Sequence, residues 1–428
     1  MTYLGLLFIV LFIISLFKPY KYIVGLLLVS CIFQASSVID INGRGVQPYL
    51  VGAIFLIVRT FLRTNGAIYS ILKNRFTLLV LFFMIYSIFV SILMPFVFRG
   101  LVVFDKSLDE SVMNGGIKLQ FGFSNITQIG YVIINGLTLC CLWINRFRIS
   151  YRDIVIYFHI SILLFLVIGF WEFTSKYTGL NNFPSSFFYT NYEMGGEAYL
   201  ASTEGILRMN ATMTEASFCG AMLAASFWGV MMNYIYKNNI QNLILIILIA
   251  IALVLNISGT GLITFFFGGL FFLWFVKAKV KFIFHLCGIF VLLFGIVYFS
   301  GYWSDIISLI SNKQESQSGI VRTLATINSW NLFCDSYGLG VGLGSNRGGN
   351  LPIDLLASLG LVGTCLFYII FIKLFFCYRK RKESMFVSVY LLTLMVAQCI
   401  AIPDISFCSM WFGLYIAASL GTKDVHQN

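Results

Sequence analysis

Two stretches of this chain gather residue types that handle protons and anions. The first, RMNATMTEASFCG (residues 208–220), sets Arg208 seven residues before Glu215, with Asn210 and Ser217 beside them. Seven residues are two helical turns, so the spacing predicts Arg208 and Glu215 on one face of a helix that starts near residue 211. A carboxylate a turn or two inside a membrane helix costs ~2.5–3.5 kcal/mol on insertion scales, so it must line a cavity or meet a cation. Two roles fit: an ion pair that locks two helices, or a carboxylate that takes a proton or orients a hydroxyl, helped by Asn210 and Ser217. The second stretch, GLGVGLGSNRGGNLPIDLLASLGLVG (residues 338–363), ends a polar segment, carries Arg347 to a membrane boundary and runs into an apolar helix. Glycine-rich backbone and a fixed cation are tolerated at membrane depth only where protein or a water-filled cavity satisfies them. These glycines could cradle a phosphate through backbone N–H groups, or form a turn packed tightly on neighbouring helices. Between the two stretches, Arg322, Leu324, Ile327, Trp330 and Phe333 have the spacing of an amphipathic helix whose polar face begins at Arg322.

The composition defines the scaffold that must position these groups. A chain of 428 residues that is 59% hydrophobic, 17% aromatic and 11% charged cannot hide its apolar surface in a soluble core, and its mean hydropathy is +0.90. Apolar segments recur at 2–17, 22–37, 48–62, 76–98, 124–145, 154–171, 211–236, 241–257, 260–276, 282–300, 351–377, 384–402 and 405–421. The predicted fold class is therefore all-α and integral to a membrane: a polytopic helical bundle of about 12–14 spans, one domain over residues 1–428. Lys18 and Lys21, Arg63 to Arg75, Arg146 to Arg152, Lys237, Lys277 to Lys281, and Arg379 to Lys382 fall on alternate loops, which makes those loops cytoplasmic. The N-terminus is then outside and the C-terminus inside. Residues 2–17 lack a basic start and a small-residue cleavage pattern, so they read as a retained helix.

This topology leaves 172–210 and 301–350 as large outer segments and 99–123 as a smaller one. The two large segments are the expected active-site region. Acidic residues collect on that side, among them Asp105, Asp109, Glu110, Glu193, Glu197, Glu204, Asp305, Glu315 and Asp335, partly because the basic residues stay inside. Trp303, Ile306, Ile307 and Ile310 also have helical spacing, and like Trp330 they suit anchoring at the headgroups. The SGTGL run at 258–262 reads as a tight outer turn.

Several classes are excluded. The net charge of +11 follows from the positive-inside pattern and attraction to anionic lipid, so no nucleic-acid partner is implied. The ten cysteines form no disulfide framework and no CxxC pair, and the outer segments hold no DxD pair, so no metal or cofactor is expected. His159, His285 and His426 lie in an apolar helix, near a cytoplasmic helix start and in the C-terminal tail. None serves an outer-face site. A Walker lysine is lacking, which argues against nucleotide binding.

The order of these features resembles a known family. RxxxTxTEAS entering one helix, an outer segment with Arg322, and GVGLGSNR followed by LLASLGLVG look like the O-antigen polymerase (Wzy) branch of the O-antigen ligase/polymerase superfamily. The resemblance implies an integral-membrane glycosyltransferase of the GT-C type in a bacterial inner membrane, with its site facing the periplasm. It would join oligosaccharide repeat units carried on undecaprenyl diphosphate by moving the growing glycan onto the next lipid-linked unit. A chain-length regulator and a flippase would be its partners. On this resemblance Arg208, Arg322 and Arg347 bind the diphosphate, and Glu215, or next Asp354, serves as base. Asn210, Ser217, Ser345, Asn346 and Asn350 position substrate. Related ligases typically carry a histidine just before the helix that begins here at Leu351, where this chain has Gly349 and Asn350, a departure that favours the polymerase over the ligase. A lipid-linked oligosaccharide flippase or secondary transporter would also show many spans and interrupted helices, but such proteins tend to have repeated halves and mid-membrane polar residues. No internal repeat is detectable in this chain.

Overall fold

The computed structural model describes residues 1–41, 44–104, 114–180, 182–191, 207–276, 317–379 and 384–420, with the single positions 288, 295 and 298. Among these residues the chain is helical almost throughout: α1 (Tyr3–Phe17), α2 (Tyr20–Ser30), α3 (Pro48–Arg63), α4 (Ala67–Lys73), α5 (Arg75–Val97), α6 (Phe123–Asn145), α7 (Tyr151–Thr178), α8 (Ser185–Phe188), α9 (Ala216–Lys237), α10 (Ile240–Asn256), α11 (Gly259–Phe275), α12 (Gln317–Asp335), α13 (Leu351–Arg379), α14 (Met385–Ile400) and α15 (Cys408–Ser419). Two short antiparallel ribbons accompany them, β1 (Ile39–Ile41) with β2 (Arg44–Val46) and β3 (Val102–Val103) with β4 (Ile117–Lys118).

Helices α5, α6, α7, α9 and α13 are long and apolar enough to cross a membrane, and α3 with α4, bent by 104° at their break, forms a sixth candidate. Six further helices, α1, α2, α10, α11, α14 and α15, are apolar but shorter. Every apolar segment expected from the sequence holds a helix, apart from 282–300, which lies almost wholly outside the described residues. The expected interfacial helix at Trp303, Ile306, Ile307 and Ile310 lies outside them too, as do Asp105, Asp109, Glu110, Glu193, Glu197, Glu204, Asp305 and Glu315.

At the centre of the bundle stands α9, buried from Phe218 to Tyr234 and packed on α10, α11 and α14. Lipid gives little hydrophobic drive between helices, so close approach needs small residues. Gly220 supplies it: a Cβ placed on Gly261 would lie 2.9 Å from the Gly220 Cα. Trp228 then seals the contact by donating its indole N–H to the Phe265 carbonyl at 2.7 Å.

The bundle has two chemically distinct ends. At one, Lys21 pairs with Asp153 at 3.2 Å and Lys237 lies 5.0 Å over the Tyr151 ring. There the buried Arg59 donates to the Ser15 carbonyl at 2.8 Å and to that of Lys18, satisfying the C-terminus of α1. At the other end Tyr49 donates to the Ser406 carbonyl at 3.0 Å and Asn256 donates to the Met209 carbonyl at 2.7 Å. Chain direction alternates between these ends.

One long helix is broken. Gly360 in α13 adopts φ +66° and ψ −172°, so the backbone leaves the helical path there. In an unbroken helix the Ala357 carbonyl would accept from Leu361. Here it accepts from Val341 N–H at 2.8 Å, the Ser358 carbonyl accepts from Gly342 N–H at 2.8 Å, and Leu361 N–H donates to the Gly338 carbonyl at 3.0 Å. The glycine-rich turn and the broken helix thus exchange backbone partners. Val341 and Ala357 also join Val103, Leu119 and Leu332 in a small buried cluster that fixes α12 and the β3–β4 ribbon.

Gly340 sits at the tightest point, with φ +84°, and a Cβ there would stand 2.5 Å from the Gly360 nitrogen and 2.7 Å from the Ser358 oxygen. The backbone conformation alone costs a non-glycine residue ~1–2 kcal/mol, before the clash with main chain that cannot move away. Gly340→Ala is therefore expected to reduce sharply the yield of monodisperse, detergent-solubilised protein on size exclusion. Wild-type yield and melting would refute this account of the turn.

Candidate functional site

The end of the bundle opposite Lys21 and Lys237 gathers the charges of interest. Residues 207–215 lead into α9 without forming a helix, and Ala211 has φ +52°. Protein groups anchor this irregular backbone at each step. Met209 N–H donates to the Leu255 carbonyl at 3.1 Å, Tyr189 donates to the Ala211 carbonyl at 2.5 Å, and Ala35 N–H donates to the Thr212 carbonyl at 2.9 Å. The N–H groups of Asn210 and Ala211 donate to Glu172 Oε2 at 3.1 and 3.2 Å. Glu172 is fully buried and forms an i,i+4 ion pair with the nearly buried Lys176, whose ammonium also donates to the Arg208 carbonyl at 3.3 Å.

Glu215 occupies the N-cap position of α9 and is exposed, with Ser217 Oγ donating to its Oε2 at 2.8 Å. This overturns the expectation that Glu215 lies inside a helix with Arg208 on the same face. The helix starts at Ala216, and the cation beside Glu215 is Arg322 at 3.7 Å. Arg322 projects from α12, which confirms the amphipathic helix expected there, and Leu324, Ile327 and Trp330 are exposed on it. Arg347 pairs with Asp404 at 4.0 Å. The helix carrying Arg322 runs against the turn carrying Arg347: a Cβ on Gly349 would lie 2.4 Å from the Arg322 carbonyl oxygen.

Both contacts exceed hydrogen-bond length, so they are charge pairs in partly exposed surroundings and hold their partners weakly. Side-chain exposure of 30% for each arginine keeps both guanidinium groups within reach of an incoming anion. Asp354 lies near the second pair, and Arg347 and Asp404 both act on it electrostatically.

Other expected site residues have structural work. Asp354 accepts from Gly348 N–H at 2.6 Å and closes the turn onto the first turn of α13. Asn350 caps the same helix, its Oδ1 accepting from Ile353 N–H at 3.2 Å. Ser345 is buried and accepts from Asn125 Nδ2 at 2.7 Å. Asn346 is buried too, accepting from Phe104 N–H at 3.1 Å and donating to Ser329 at 2.8 Å. Asn210 is buried in the 207–215 turn. Asn350 and Asn346 thus bind backbone N–H groups, Ser345 binds the Asn125 side chain, and Ser217 stays beside Glu215.

The glycine turn is likewise structural. The N–H groups of Gly340, Val341, Gly342, Leu343, Ser345, Arg347 and Gly348 all donate within the protein, to Ser336, Ala357, Ser358, Ser91, Gly342, Phe104 and Asp354 in that order. With those donors engaged, the phosphate cradle gives way to the packed turn. The SGTGL run is the expected tight turn, Ser258 accepting from Gly261 N–H at 3.3 Å to start α11.

Sequence reasoning missed Glu172, Lys176 and Asp404. The first two were assigned to an outer loop beginning at 172, yet α7 continues to Thr178. The signal was the i,i+4 spacing of opposite charges at the end of an apolar run. Asp404 follows Pro403 in the break between α14 and α15, a carboxylate that hydropathy alone leaves without a role. Among the described residues no three His, Cys, Asp or Glu side chains gather in a metal-like group, and Cys31, Cys140, Cys141, Cys219, Cys334, Cys365, Cys399 and Cys408 are free thiols. No family model, curated protein or solved structure matches this chain.

Removing one partner of a buried ion pair costs about 3–5 kcal/mol, because the other charge stays buried. Lys176→Met is expected to destabilise the protein on that scale, seen as loss of the monodisperse peak at a clearly lower temperature. Unchanged melting would show that Glu172 orders residues 207–215 without its cation.

Proposed function

We propose that this protein is a membrane glycosyltransferase that polymerises lipid-linked oligosaccharide repeat units, as its resemblance to O-antigen polymerases implies. The observation that carries this reading is the neighbourhood of Arg322 and Arg347, two partly exposed guanidinium groups on adjoining elements, each in a loose charge pair. A glycosyl diphosphate already has a good leaving group, so the protein must chiefly hold developing negative charge and align an acceptor hydroxyl. Guanidinium suits the first task, being permanently charged and able to grip phosphate oxygens bidentately. Arg208, on the loop that ends in Glu215, is the third cation assigned to the diphosphate.

In the proposed reaction the acceptor hydroxyl oxygen attacks the anomeric carbon of the growing glycan. The bond from that carbon to the phosphate oxygen breaks, and undecaprenyl diphosphate departs with the bonding electrons. The hydroxyl proton passes to Glu215, an exposed carboxylate beside Arg322. Asp354 is the second candidate for this role. The bundle is read as a GT-C-type scaffold in a bacterial inner membrane, with the Arg322 end outside and the Lys237 end in the cytoplasm.

A second reading has one observation in its favour: the break at Gly360 resembles the interrupted helices of secondary transporters, which suits a lipid-linked oligosaccharide flippase. An O-antigen ligase is the remaining enzymatic alternative.

The test is purified protein with lipid-linked repeat units. Wild-type protein is expected to yield a polymer ladder and free undecaprenyl diphosphate, whereas movement across vesicles without bond formation identifies a flippase. Arg208→Ala, Arg322→Ala and Arg347→Ala should each slow polymerisation roughly 10²–10³-fold, the scale for loss of one preorganised donor, with partial rescue by Lys. Glu215→Gln should do likewise. Wild-type ladders from all three arginine variants would overturn the assignment.

A further inference from the structure

A cavity lies among the described residues at the opposite end of the bundle from Arg322. It encloses about 680 Å³ between α7, α9 and α10 and is open along one side. Its mouth carries Arg152, Lys237, Asn239 and Gln241, and its walls are mostly aliphatic, with Ile156, Ile160 and Leu163 from α7 and Ile244, Leu245 and Leu248 from α10 beside His159 and Asn242. No lining residue is acidic. The carboxylate next in sequence, Asp153, is engaged by Lys21 at 3.2 Å and Ser150 at 2.7 Å.

Two further features favour an anion at this mouth. The N-termini of α7 and α10 both open there, at Tyr151 and Ile240, and add their positive dipole ends to the two cations. Deeper in, Asn233 lines the cavity and is 2% exposed, and its Nδ2 has no hydrogen-bond partner. A buried amide donor is expected to meet an acceptor, and the ester or phosphate oxygens of a lipid provide one.

We infer that this cavity is a binding site for an anionic membrane phospholipid, its headgroup phosphate at Arg152 and Lys237 and an acyl chain between α7 and α10. A soluble phosphate compound would leave the aliphatic walls unused, and a zwitterionic lipid would leave the two cations uncompensated. Basic recesses between membrane helices at the positively charged end are where such headgroups are held. This site does not rest on the polymerase reading, and it uses none of the residues assigned to catalysis.

The experiment titrates fluorescent phosphatidylglycerol, and separately fluorescent phosphatidylcholine, into the detergent-solubilised full chain and reads anisotropy. Wild-type protein is expected to prefer the anionic lipid. Arg152→Gln with Lys237→Gln should weaken that binding roughly tenfold or more, the combined contribution of two interfacial cations. The charge-matched control Lys73→Gln with Arg75→Gln, exposed at the same end but away from the cavity, should leave it unchanged. Leu163→Trp, which fills the wall and keeps both cations, should also weaken binding. Equal affinity for the two lipids, equal loss from the control pair, or retained preference in the Arg152/Lys237 variant would overturn the proposal. Competition by glycerol 3-phosphate as effective as by unlabelled lipid would also overturn it, by showing a soluble phosphate site.

Discussion

The exchange of backbone partners between the 338–342 turn and the broken stretch of α13 is the interaction on which the candidate site depends. Irregular backbone at the end of a membrane bundle survives only if its polar groups are satisfied by protein. The break at Gly360 would orphan the carbonyls of Ala357 and Ser358 and the N–H of Leu361, while the turn brings the N–H groups of Val341 and Gly342 and the carbonyl of Gly338. Each irregularity supplies what the other lacks. Because Gly340 permits near contact of the two main chains, the turn is held rigidly and carries Arg347 to a fixed place beside α12. Asp354 and Asn350 then tie the turn to the start of α13, so the cation and the carboxylates near it share one frame.

The same division of labour recurs at residues 207–215. There the buried Glu172–Lys176 pair and Asn256 hold the backbone, and Glu215 at its end is exposed and meets Arg322. Buried charge in this protein orders the loops, while the partly exposed Arg322–Glu215 and Arg347–Asp404 pairs lie beyond hydrogen-bond length. The two kinds differ in energy as well as place. A buried pair stripped of one member is strongly destabilising, whereas a loose surface pair contributes ~0–1 kcal/mol.

Much of the scaffold was legible because hydropathy is additive along a helix. The cores of α5, α6, α7, α9 and α13 coincide with apolar segments, and the Lys/Arg pattern anticipated the gathering of Lys21, Arg59, Lys237 and their neighbours at one end. The amphipathic spacing from Arg322 to Phe333 also predicted α12. The helix boundaries were less legible. Glu172 looked like the end of a span, yet α7 continues because Lys176 and two backbone N–H groups neutralise and bind that carboxylate. Glu215 looked like a residue within a helix, yet the 207–215 loop is satisfied by Glu172, Asn256 and Tyr189, so helix formation is not needed before Ala216. For the glycine turn, composition allowed a phosphate cradle or a packed turn equally. The choice lay with acceptors on Ala357 and Ser358, which no local pattern reveals. Arg347 and Asp404 illustrate the same limit, since a pair 57 residues apart is created only by the folded bundle.

The central claim is that Arg322 and Arg347 together receive a lipid-linked diphosphate. The most direct measurement is a cryo-electron-microscopy structure of the full chain in nanodiscs with undecaprenyl diphosphate bound. The account predicts phosphate density within about 3 Å of both guanidinium groups, with the Glu215–Arg322 contact opened. Diphosphate density seated elsewhere, with both charge pairs intact, would contradict it.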